Sequence, residues 1–505
     1  MVLKLYAANR AGGGGAVVAV VLAIKRIPFE FVPTDVSAAD PSTKTPELLA
    51  MQPFGQVPVI DDDGFILYES RAICLYLEQQ YPSQGAKLAP DLADIRATAL
   101  FNQAMSVETF NFYPFAYRVV DEVIFKPHYG GQTDPTLLST ALKDFESKLD
   151  VYEKILAKQR YTAGNSLSIV DLSHLSHAPL LARYTGIDVM TRAERPNVAR
   201  VAVTEMELEA ALHRRSRLQR STATQADSPA STLIKIFLIS GYTAYRLGEA
   251  KLSQHSAINW HPQRRRVSSS SHLPATVRPP SMVLKLHAAN RVGGGGSVVA
   301  MVLAAKRIPF TFISTPIQPK TPGLLAMQPF GKVPIIEEED GFRLYESRAI
   351  CMYLQKKYPD QGIDLGPADP TDLRAQALFD QGLFIEATNF HPAVYRLIEE
   401  IIFKPFSGRG QDRQHLAELL HNFDSVLDAY EMVLGKQKYI GGDKLTIVDY
   451  FHLAHAPLLA RICGIHIMTK PERPNVCRWW KEVVNLPQYR ELLEQDGLAS
   501  RKSYP

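Results

Sequence analysis

The sequence has few of the residues that mark a disulfide-stabilised, metal-binding or membrane-spanning chain. Its 505 residues include only four cysteines, at positions 74, 351, 463 and 477, and these lack the close spacing of metal ligands. Three lie in apolar segments, where a buried reduced thiol is the usual state. No apolar run approaches the ~20 residues that span a bilayer, and the N-terminus lacks a secretory signal pattern. We therefore expect a cytoplasmic protein with no metal centre, no disulfide and no membrane partner.

The chain also lacks a strong excess of charge of one sign. The formal net charge at pH 7 is +4, and much of the excess lies in an arginine-rich stretch between residues 214 and 266. A basic tract in a polar segment is more typical of solvated chain than of a nucleic-acid-binding surface, so no nucleic-acid partner is expected. A single core divides beyond roughly 250–300 residues, so several domains are expected.

Two copies of one unit fill most of the sequence, the first over roughly residues 1–200 and the second over roughly 282–505. Residues 2–10 return at 283–291, residues 51–58 at 327–334, and residues 68–74 at 345–351. This long register indicates a duplicated unit rather than a short-period solenoid. The match stops after Arg200, where the second copy continues through Trp479 into an amphipathic ending. The first copy is therefore predicted to lack its final helix.

Residues 201–281 separate the copies and are predicted to form an irregular, disordered linker. They combine the arginine-rich stretch with an apolar run at 233–239 and a serine run at 268–271, without a periodicity that would pack a core. We hypothesise that this segment includes translated non-coding sequence joining two neighbouring genes. Sequencing full-length transcripts tests this, and a single spliced message that retains residues 201–281 would refute it.

Each copy is predicted to contain an α/β domain followed by an all-α domain. In the first copy the pattern indicates strands at 2–6, 29–33, 57–60 and 65–67, helices at about 16–26 and 69–80, and later helices at 92–107 and 137–158. The helix near residue 16 is ambiguous, because its β-branched run at 17–21 favours a strand locally. The predicted domains are 1–83, 90–200, 282–360 and 368–505.

A valine–proline pair precedes a strand-like run in each copy, at Val57-Pro58 and at Val333-Pro334. A cis X–Pro bond at this place turns the preceding backbone edge outward. An extended peptide could then pair with the exposed N–H and C=O of the valine. Each pair is therefore a candidate peptide-binding edge.

A Glu-Ser pair follows shortly afterwards, as Glu69-Ser70 and Glu346-Ser347, at the start of an apolar-periodic helix. Backbone donors and a hydroxyl at a helix N-terminus suit a carboxylate, and the acid suits an ammonium group. With the valine–proline edge, these residues predict a receptor for a zwitterionic γ-glutamyl head. A simple helix cap is the more common meaning of Glu-Ser taken alone.

These motifs resemble the glutathione-binding core of phi-like glutathione transferases, including their fungal relatives. The resemblance is carried by Pro-Phe-Gly-Gln-Val-Pro at 53–58, the acidic turn after it, and Tyr-Glu-Ser-Arg-Ala-Ile at 68–73. It implies a thioredoxin-like subdomain followed by an α-helical subdomain in each copy. The pairs Ser168/Asp171 and Thr446/Asp449 look like the capping box of that helical subdomain, a structural motif.

The resemblance implies glutathione as co-substrate and a set of contacts in each copy. The lysines would meet its glycyl carboxylate, the valine backbones its cysteinyl residue, and the glutamates and serines its γ-glutamyl end. The expected contacts are Lys44, Gln56, Val57, Glu69 and Ser70 in the first copy, and Lys320, Lys332, Val333, Glu346 and Ser347 in the second. Lys332 replaces a glutamine, so the two sites should differ in affinity.

The catalytic turn departs from the family pattern. Phi-like enzymes place a serine before the first helix, and its hydroxyl donates to the glutathione thiolate; Gly12 and Gly293 stand at that position here. Such a bond is worth roughly 1.5–3 kcal/mol, so its loss weakens activation without abolishing it. The candidate replacements are backbone N–H groups of the glycine run, the charges of Arg10 and Arg291, and the hydroxyl of Ser297. An exposed charge is the simpler interpretation of Arg10.

We expect conjugation of glutathione to small hydrophobic electrophiles. The electrophile would contact the aromatic segments 111–115 and 389–393. These aromatic side chains could equally belong to the core. The alternative is a non-catalytic glutathione-binding or protein-interaction module. A dinucleotide site is disfavoured because valine stands where a third small residue is required. Glutathione-dependent reduction is disfavoured because the catalytic turn has no cysteine. Detoxification, secondary-metabolite chemistry and stress response all remain open as physiological roles.

Phe54 and Phe330 stand where family members carry an aromatic residue that inserts into the partner subunit. The tether between the copies gives them a high effective concentration for each other. We therefore expect either an internal pseudo-dimer or a homodimer.

Overall fold

The computed structural model describes residues 2–8, 13–36, 43–204, 284–289, 293–369 and 371–495. Three of the predicted site residues, Arg10, Gly12 and Arg291, lie outside these ranges. So does almost all of the predicted linker, because only its first four residues are described.

A four-stranded sheet with flanking helices opens the first copy. The strand order is β2-β1-β3-β4, with β1 parallel to β2 and antiparallel to β3. The elements are β1 (Leu3–Ala7), α1 (Gly13–Lys25), β2 (Phe29–Pro33), α2 (Pro46–Met51), β3 (Val59–Asp62), β4 (Phe65–Tyr68) and α3 (Ser70–Gln80). Since parallel β1 and β2 require a crossover between them, the β-branched run at 17–21 is helical as predicted. The predicted start of α1 at about residue 16 is wrong, because the helix already includes Gly13.

Helices make up the rest of the first copy. They are α4 (Ile95–Asn111), α5 (Tyr113–Val120), α6 (Pro135–Leu156), α7 (Ile169–His174), α8 (Ala178–Thr185) and α9 over 196–204. A π-helical turn, Asp121–Phe125, and a short helical turn, Lys126–His128, follow α5. Asp94 and Asp134 cap α4 and α6 with their side chains, which satisfies amide groups that the first turn leaves unpaired. The predicted capping box of Ser168 and Asp171 is confirmed at α7.

The second copy repeats this order. Its α/β part contains β5 (Leu284–Ala288), α10 (Gly295–Ala305), β6 (Phe310–Ser314), α11 (Pro322–Met327), β7 (Ile335–Glu337), β8 (Arg343–Tyr345) and α12 (Ser347–Lys357). Its helical part contains α13 (Leu373–Ile385), α14 (His391–Ile398), α15 (Arg413–Leu434), α16 (Ile447–Phe451), α17 (Ala456–Cys463), α18 (Pro474–Val483) and α19 (Pro487–Gln495). A π-helical turn, Glu386–Phe390, connects α13 to α14. The predicted fold class, a thioredoxin-like subdomain followed by an all-helical one, is confirmed in both copies.

The ending of the second copy supports its capping box. Trp479 is fully buried on α18, and its indole Nε1 donates to Oδ1 of Asp449 at 2.9 Å. Asp449 belongs to the confirmed capping box with Thr446. In the first copy Val201 takes the place of this tryptophan, so Asp171 has no corresponding indole donor.

The two halves pack against each other in a nearly symmetric way. Helix α3 contacts α13, and α4 contacts α12. Oε1 of Gln381 accepts a hydrogen bond from the backbone N–H of Tyr68 at 2.9 Å, and Oε1 of Gln103 accepts one from Tyr345 at 2.8 Å. Both tyrosines end an edge strand, so each glutamine occupies a backbone donor that the sheet leaves unpaired.

Two phenylalanines are inserted between the halves. The ring of Phe54 lies edge-on to Tyr430 with centroids 6.2 Å apart, and the ring of Phe330 lies edge-on to Tyr152 at 6.4 Å. Burying such a side chain contributes about 1.5–3 kcal/mol. The insertion predicted for Phe54 and Phe330 is therefore found here between two halves of one chain.

A buried carboxyl breaks the symmetry of this interface. Asp380 and Asn102 occupy equivalent positions and line one small cavity between the halves. Burial raises the pKa of Asp380 to about 7, against the opposing influence of a hydrogen bond from Gln376 and the charge of Lys356. The interface therefore carries a group that titrates near neutral pH.

Candidate glutathione-binding site

The predicted cis peptide bonds are confirmed at Val57-Pro58 and Val333-Pro334. Strand β3 pairs with β1 only from Val59 onward, so Val57 precedes the ladder. Within the described residues the backbone N–H and C=O of Val57 have no hydrogen-bond partner. This leaves an open backbone edge with which an extended peptide can pair.

The first turn of α1 lies directly against this edge and the start of α3. A β-carbon on Gly14 would lie 2.8 Å from Cβ of Ser70 and 3.0 Å from Cδ of Pro58, so only glycine fits. Gly295 stands in the same relation to Ser347, at 3.0 Å. Neither serine hydroxyl has a partner among the described residues. Each copy therefore brings a hydroxyl, a peptide edge and two helix N-termini together in one cradle.

Glu69 points across to the second half. It precedes α3 with an unusual φ of 68°, and its side chain makes no capping hydrogen bond, which contradicts the simple-cap alternative for this residue. Its carboxylate instead accepts hydrogen bonds from Nδ2 of Asn389 at 3.2 Å and from Oγ1 of Thr388 at 3.3 Å. Glu346 has the same φ of 68°. Such a conformation costs about 1–3 kcal/mol and persists only where the surrounding structure enforces it.

Burial keeps these two carboxyls easy to protonate. It raises the pKa of Glu69 to about 7, opposed by the charge of Arg71 and by the two hydrogen bonds from the second half. Burial likewise raises the pKa of Glu346, opposed by the charges of Lys332 and Arg348. A ligand ammonium group at either position would stabilise the ionised carboxylate.

The loop before each valine–proline pair is shaped by a lysine. Nζ of Lys44 donates to the carbonyl of Phe54 at 3.3 Å, and Nζ of Lys320 donates to Phe330 at 3.0 Å. A β-carbon on Gly55 would lie 2.6 Å from Cδ of Lys44, so glycine is required under the lysine stem. The ammonium groups are thus held at the loop that precedes each valine–proline pair, and their contact with a carboxylate stays a prediction.

Two buried glutamines that the sequence did not single out support the same loop. Oε1 of Gln52 accepts from the backbone N–H of Gln56 at 3.0 Å, and Oε1 of Gln328 accepts from that of Lys332 at 3.1 Å. The only indication of their role in the sequence was that both copies carry glutamine at this position. Each fixes the backbone one residue before the valine that carries the open edge.

An asparagine of the opposite half completes each cradle. Nε2 of Gln56 donates to Oδ1 of Asn389 at 3.3 Å, and Nζ of Lys332 donates to Oδ1 of Asn111 at 2.8 Å. From sequence, these asparagines belong to segments predicted to contact the electrophile. Both asparagines face the cradle of the other half, and their contact with the electrophile stays a prediction.

The remaining residues of those two segments divide between core and site. Phe112 and Phe390 are fully buried and pack against core aromatic rings, so the core alternative holds for them. The ring of Tyr113 lies 5.2 Å from that of His177, beside the catalytic turn. His391 lies correspondingly 5.5 Å from His455 in the second half.

The second cradle is the more cationic of the two. Besides Lys320 and Lys332 it has Lys148 of the first half nearby, and burial together with these two charges lowers the pKa of Lys148. Val426 takes the place of Lys148 in the other half. Nδ2 of Asn111 is buried without a partner in the described structure. The predicted difference between the sites thus extends beyond the single exchange at Lys332.

Buried ion pairs connect each cradle to its own helical subdomain. The guanidinium of Arg71, directly after Ser70, makes two hydrogen bonds of 2.7 and 2.8 Å to Glu108 on α4. Arg348 pairs with Glu386, where its Nε and Nη2 both donate to Oε2. Because a lone buried charge costs several kcal/mol, removing one partner would disturb the start of α3 or α12.

The catalytic turn of the second copy has a backbone path that suits glycine. Gly293 and Gly294 have φ of 87° and 79°, where a serine would be strained. The N–H of Gly13 donates to the carbonyl of Ser176 at 2.7 Å, and that of Gly294 donates to Ala454 at 2.8 Å. The helical subdomain thereby fixes the turn in both copies.

Ser297 is not positioned to replace the missing hydroxyl. It is 1% exposed, and its Oγ donates to the carbonyl of Gly294 at 2.6 Å. The prediction that Ser297 reaches the sulfur is therefore contradicted. Two histidines, His177 and His455, lie beside the turn instead. They were not among the predicted site residues. The only indication of them in the sequence was that both copies carry a histidine at this position.

Within the described residues, no helix is both long and apolar enough to cross a membrane, and no group of three metal-ligating side chains occurs. All four cysteines are free thiols.

Comparisons with known proteins agree with this architecture. The model "Glutathione S-transferase, N-terminal domain" matches residues 15–85 and 296–362, and "Glutathione S-transferase, C-terminal domain" matches residues 392–487. Glutathione S-transferase hmp2 of Hypomyces subiculosus is 43% identical over 185 residues, 36% of this chain and 84% of the relative. Glutathione S-transferase F13 of Arabidopsis thaliana is 36% identical over 171 residues, 34% of this chain and 75% of the relative. The chain belongs to the glutathione S-transferase family.

Among solved structures, the crystal structure of glutathione transferase F7 from Populus trichocarpa is 28% identical. The match covers 43% of this chain and 99% of that chain, with a TM-score of 0.39.

Proposed function

We propose that this protein is a glutathione transferase that conjugates reduced glutathione to small hydrophobic electrophiles, with one site in each half. The observation that carries the proposal is the contact of a glycine-only helix start with a cis valine–proline edge and an unpaired serine hydroxyl, repeated in both copies. Membership of the glutathione S-transferase family supports the same reaction class.

In the first half, glutathione is bound by four groups of complementary chemistry. Its cysteinyl backbone pairs with Val57, and its glycyl carboxylate meets the ammonium of Lys44. Its γ-glutamyl carboxylate accepts from the hydroxyl of Ser70 and from the amides that begin α3, where the helix dipole favours an anion. Its ammonium pairs with Glu69. In the second half the corresponding groups are Val333, Lys320, Ser347 and Glu346, and Lys332 adds a positive charge.

This pose brings the thiol to the start of α1, or of α10 in the second half. Backbone N–H groups at a helix N-terminus lower the pKa of a thiol, and the thiolate is the nucleophile. The aromatic side chains of Tyr113 and Tyr117 provide an apolar wall for the electrophile, as do those of His391 and Tyr395 in the second half. Holding thiolate and electrophile together supplies the orientation that catalysis requires.

The working unit, in this proposal, is an internal pseudo-dimer. Support comes from the two inserted phenylalanines, the reciprocal glutamine bonds at the strand edges, and the asparagine that each half contributes to the other's cradle. Covalent linkage raises the effective concentration of one half for the other. Four free cysteines favour a reducing compartment, in keeping with the expected cytoplasmic location.

The ultraviolet absorbance of enzyme-bound glutathione thiolate, titrated against pH, tests this proposal together with conjugation of chlorodinitrobenzene. Each half is measured alone in a chain whose other cradle is disabled. Glu69→Ala with Ser70→Ala disables the first cradle, and Glu346→Ala with Ser347→Ala disables the second. We expect a bound thiol with a pKa below the free value of about 8.5. A bound thiol with an unshifted pKa in both halves would instead identify a non-catalytic glutathione-binding module. Failure of both halves to bind glutathione would reject either function.

A further inference from the structure

One histidine of each helical subdomain lies at the catalytic turn, and the binding scheme above does not use it. His177 follows Ser176, whose carbonyl accepts from the N–H of Gly13. His455 follows Ala454, which accepts in the same way from Gly294. Each histidine is thus the residue directly after the acceptor of the backbone bond that fixes the start of α1 or α10.

The second half shows how close the imidazole comes. Nε2 of His455 lies 4.0 Å from the position that a β-carbon would take on Gly294. The ring is held edge-on between His391 and Tyr395, with centroids 5.5 and 5.6 Å away. Its orientation therefore depends on packing and not on a flexible surface conformation.

Hydrogen bonding decides which ring nitrogen of His455 carries the proton. Nδ1 is buried and has no partner among the described residues. A buried N–H without an acceptor is rarer and more costly than an acceptor without a donor, so the proton belongs on Nε2. In the first half, Nδ1 of His177 lies 2.8 Å from Oγ of Ser176, and either group can be the donor of that bond. His455 thus presents an Nε2–H donor.

We propose that Nε2–H of His455 donates a hydrogen bond to the thiolate of glutathione bound in the second half. This bond replaces the hydroxyl lost at the catalytic turn. The inference rests on the proposed function. The thiol proton passes to solvent, and the sulfur lone pair forms the new C–S bond. In a displacement, the leaving group of the electrophile departs with its bonding electrons, while the histidine remains neutral throughout.

The surroundings keep these imidazoles neutral. Burial lowers the pKa of His455 to about 4 and that of His177 to about 3, and the nearby Arg348 and Arg71 act in the same direction. A neutral imidazole donates from one nitrogen only, which suits a fixed hydrogen bond better than proton transfer.

The test uses the full chain with its first cradle disabled by Glu69→Ala and Ser70→Ala. His455→Leu removes the donor, whereas His455→Gln keeps an amide N–H near the place of Nε2. We expect His455→Leu to raise the pKa of the bound thiol by about one to two, a ten- to hundredfold loss of thiolate below that pKa. His455→Gln should restore most of it. Binding of S-methylglutathione, which has no ionisable thiol, should change less than about twofold.

His421→Gln, on the exposed face of α15, is the matched control for a histidine substitution distant from the turn. If the leucine variant does not fold, His455→Phe keeps an aromatic ring in the same place and gives the same comparison. A donor-free variant that binds S-methylglutathione normally and keeps the wild-type thiol pKa overturns this inference but leaves the proposed function intact. An unshifted thiol pKa in the wild-type protein overturns both.

Discussion

Acidification from pH 8 to pH 6 should weaken glutathione binding in the first half. In the proposed binding mode the γ-glutamyl ammonium group requires an ionised partner, and Glu69 is that partner. Burial raises the pKa of this carboxyl to about 7, even though Arg71, Thr388 and Asn389 favour its ionised form. Below pH 7 the free protein therefore holds Glu69 mostly protonated, and binding must release that proton.

The magnitude follows from this pKa. The apparent Kd is multiplied by a factor equal to one plus the ratio of protonated to ionised carboxyl. This factor is about 11 at pH 6 and about 1.1 at pH 8. About tenfold in affinity, or roughly 1.4 kcal/mol, is thus lost as the pH falls through 7. Because the pKa of the free carboxyl is raised, the affinity is flat above about pH 8 and falls as the pH drops below it, approaching tenfold per pH unit below about pH 6.

Isothermal titration calorimetry with S-methylglutathione measures the effect without a titrating thiol. The second cradle is disabled by Glu346→Ala and Ser347→Ala. Buffers of different ionisation enthalpy should report release of close to one proton at pH 6 and almost none at pH 8. Glu69→Gln should bind more weakly and with little dependence on pH, since its amide does not titrate.

Two results would refute this reasoning. One is an affinity that stays constant from pH 6 to pH 8 while Glu69 is present. The other is a tenfold dependence that survives in Glu69→Gln, which would assign the proton to a different group.

Three further predictions concern the interface and the second cradle. Asp380→Asn, which introduces the residue found at Asn102, should raise the free energy of unfolding at pH 8 by up to about 4 kcal/mol and change it little near pH 4. The wild-type free energy of unfolding falls as the pH rises from about 4 to 7, because the folded state keeps this carboxyl protonated. Urea unfolding in which the variant gains equal stability at both pH values would contradict this. Phe330→Ala should destabilise the chain by about 3–5 kcal/mol. A protease site inserted among residues 205–281 allows the two halves to be cleaved apart. The wild-type halves should then co-elute in size-exclusion chromatography, whereas the variant halves should separate. Co-elution of the variant halves would refute the inference that the Phe330 ring holds the halves together. Lys332→Gln should reduce the salt dependence of S-methylglutathione affinity in the second half, because added salt screens the cation. Gln56→Lys should increase that dependence in the first half. If the slope of affinity against salt concentration does not change, residue 332 lies too far from the ligand.

Local sequence predicted those features whose cause lies within a few residues. The cis bonds at Val57-Pro58 and Val333-Pro334 require proline, whose tertiary amide lowers the cost of the cis form. The capping boxes at α7 and α16 follow from hydrogen bonds that span a single turn. The helical state of residues 17–21 required more, since the β-branched run favours a strand and only the crossover between parallel β1 and β2 decides against it.

Predictions were weaker wherever a side chain had a choice of partners. Ser297 follows the second glycine run and carries a hydroxyl, yet that hydroxyl satisfies the carbonyl of Gly294. Asn111 and Asn389 lie among aromatic residues that point to a hydrophobic pocket, yet both reach the opposite cradle. In each case the competing acceptor or donor belongs to a turn or a subdomain whose position the local pattern does not reveal.

The sequence by itself determined the duplication and the α/β and all-helical subdomains, and it predicted a γ-glutamyl receptor motif and a catalytic turn without serine. Tertiary structure alone decided that Glu69 meets Asn389, 320 positions away, that Lys332 meets Asn111, 221 positions away, and that His455 lies over Gly294. The reason is physical. Hydrophobic periodicity shows which face of a helix is buried, but the partner of that face depends on how whole subdomains pack together.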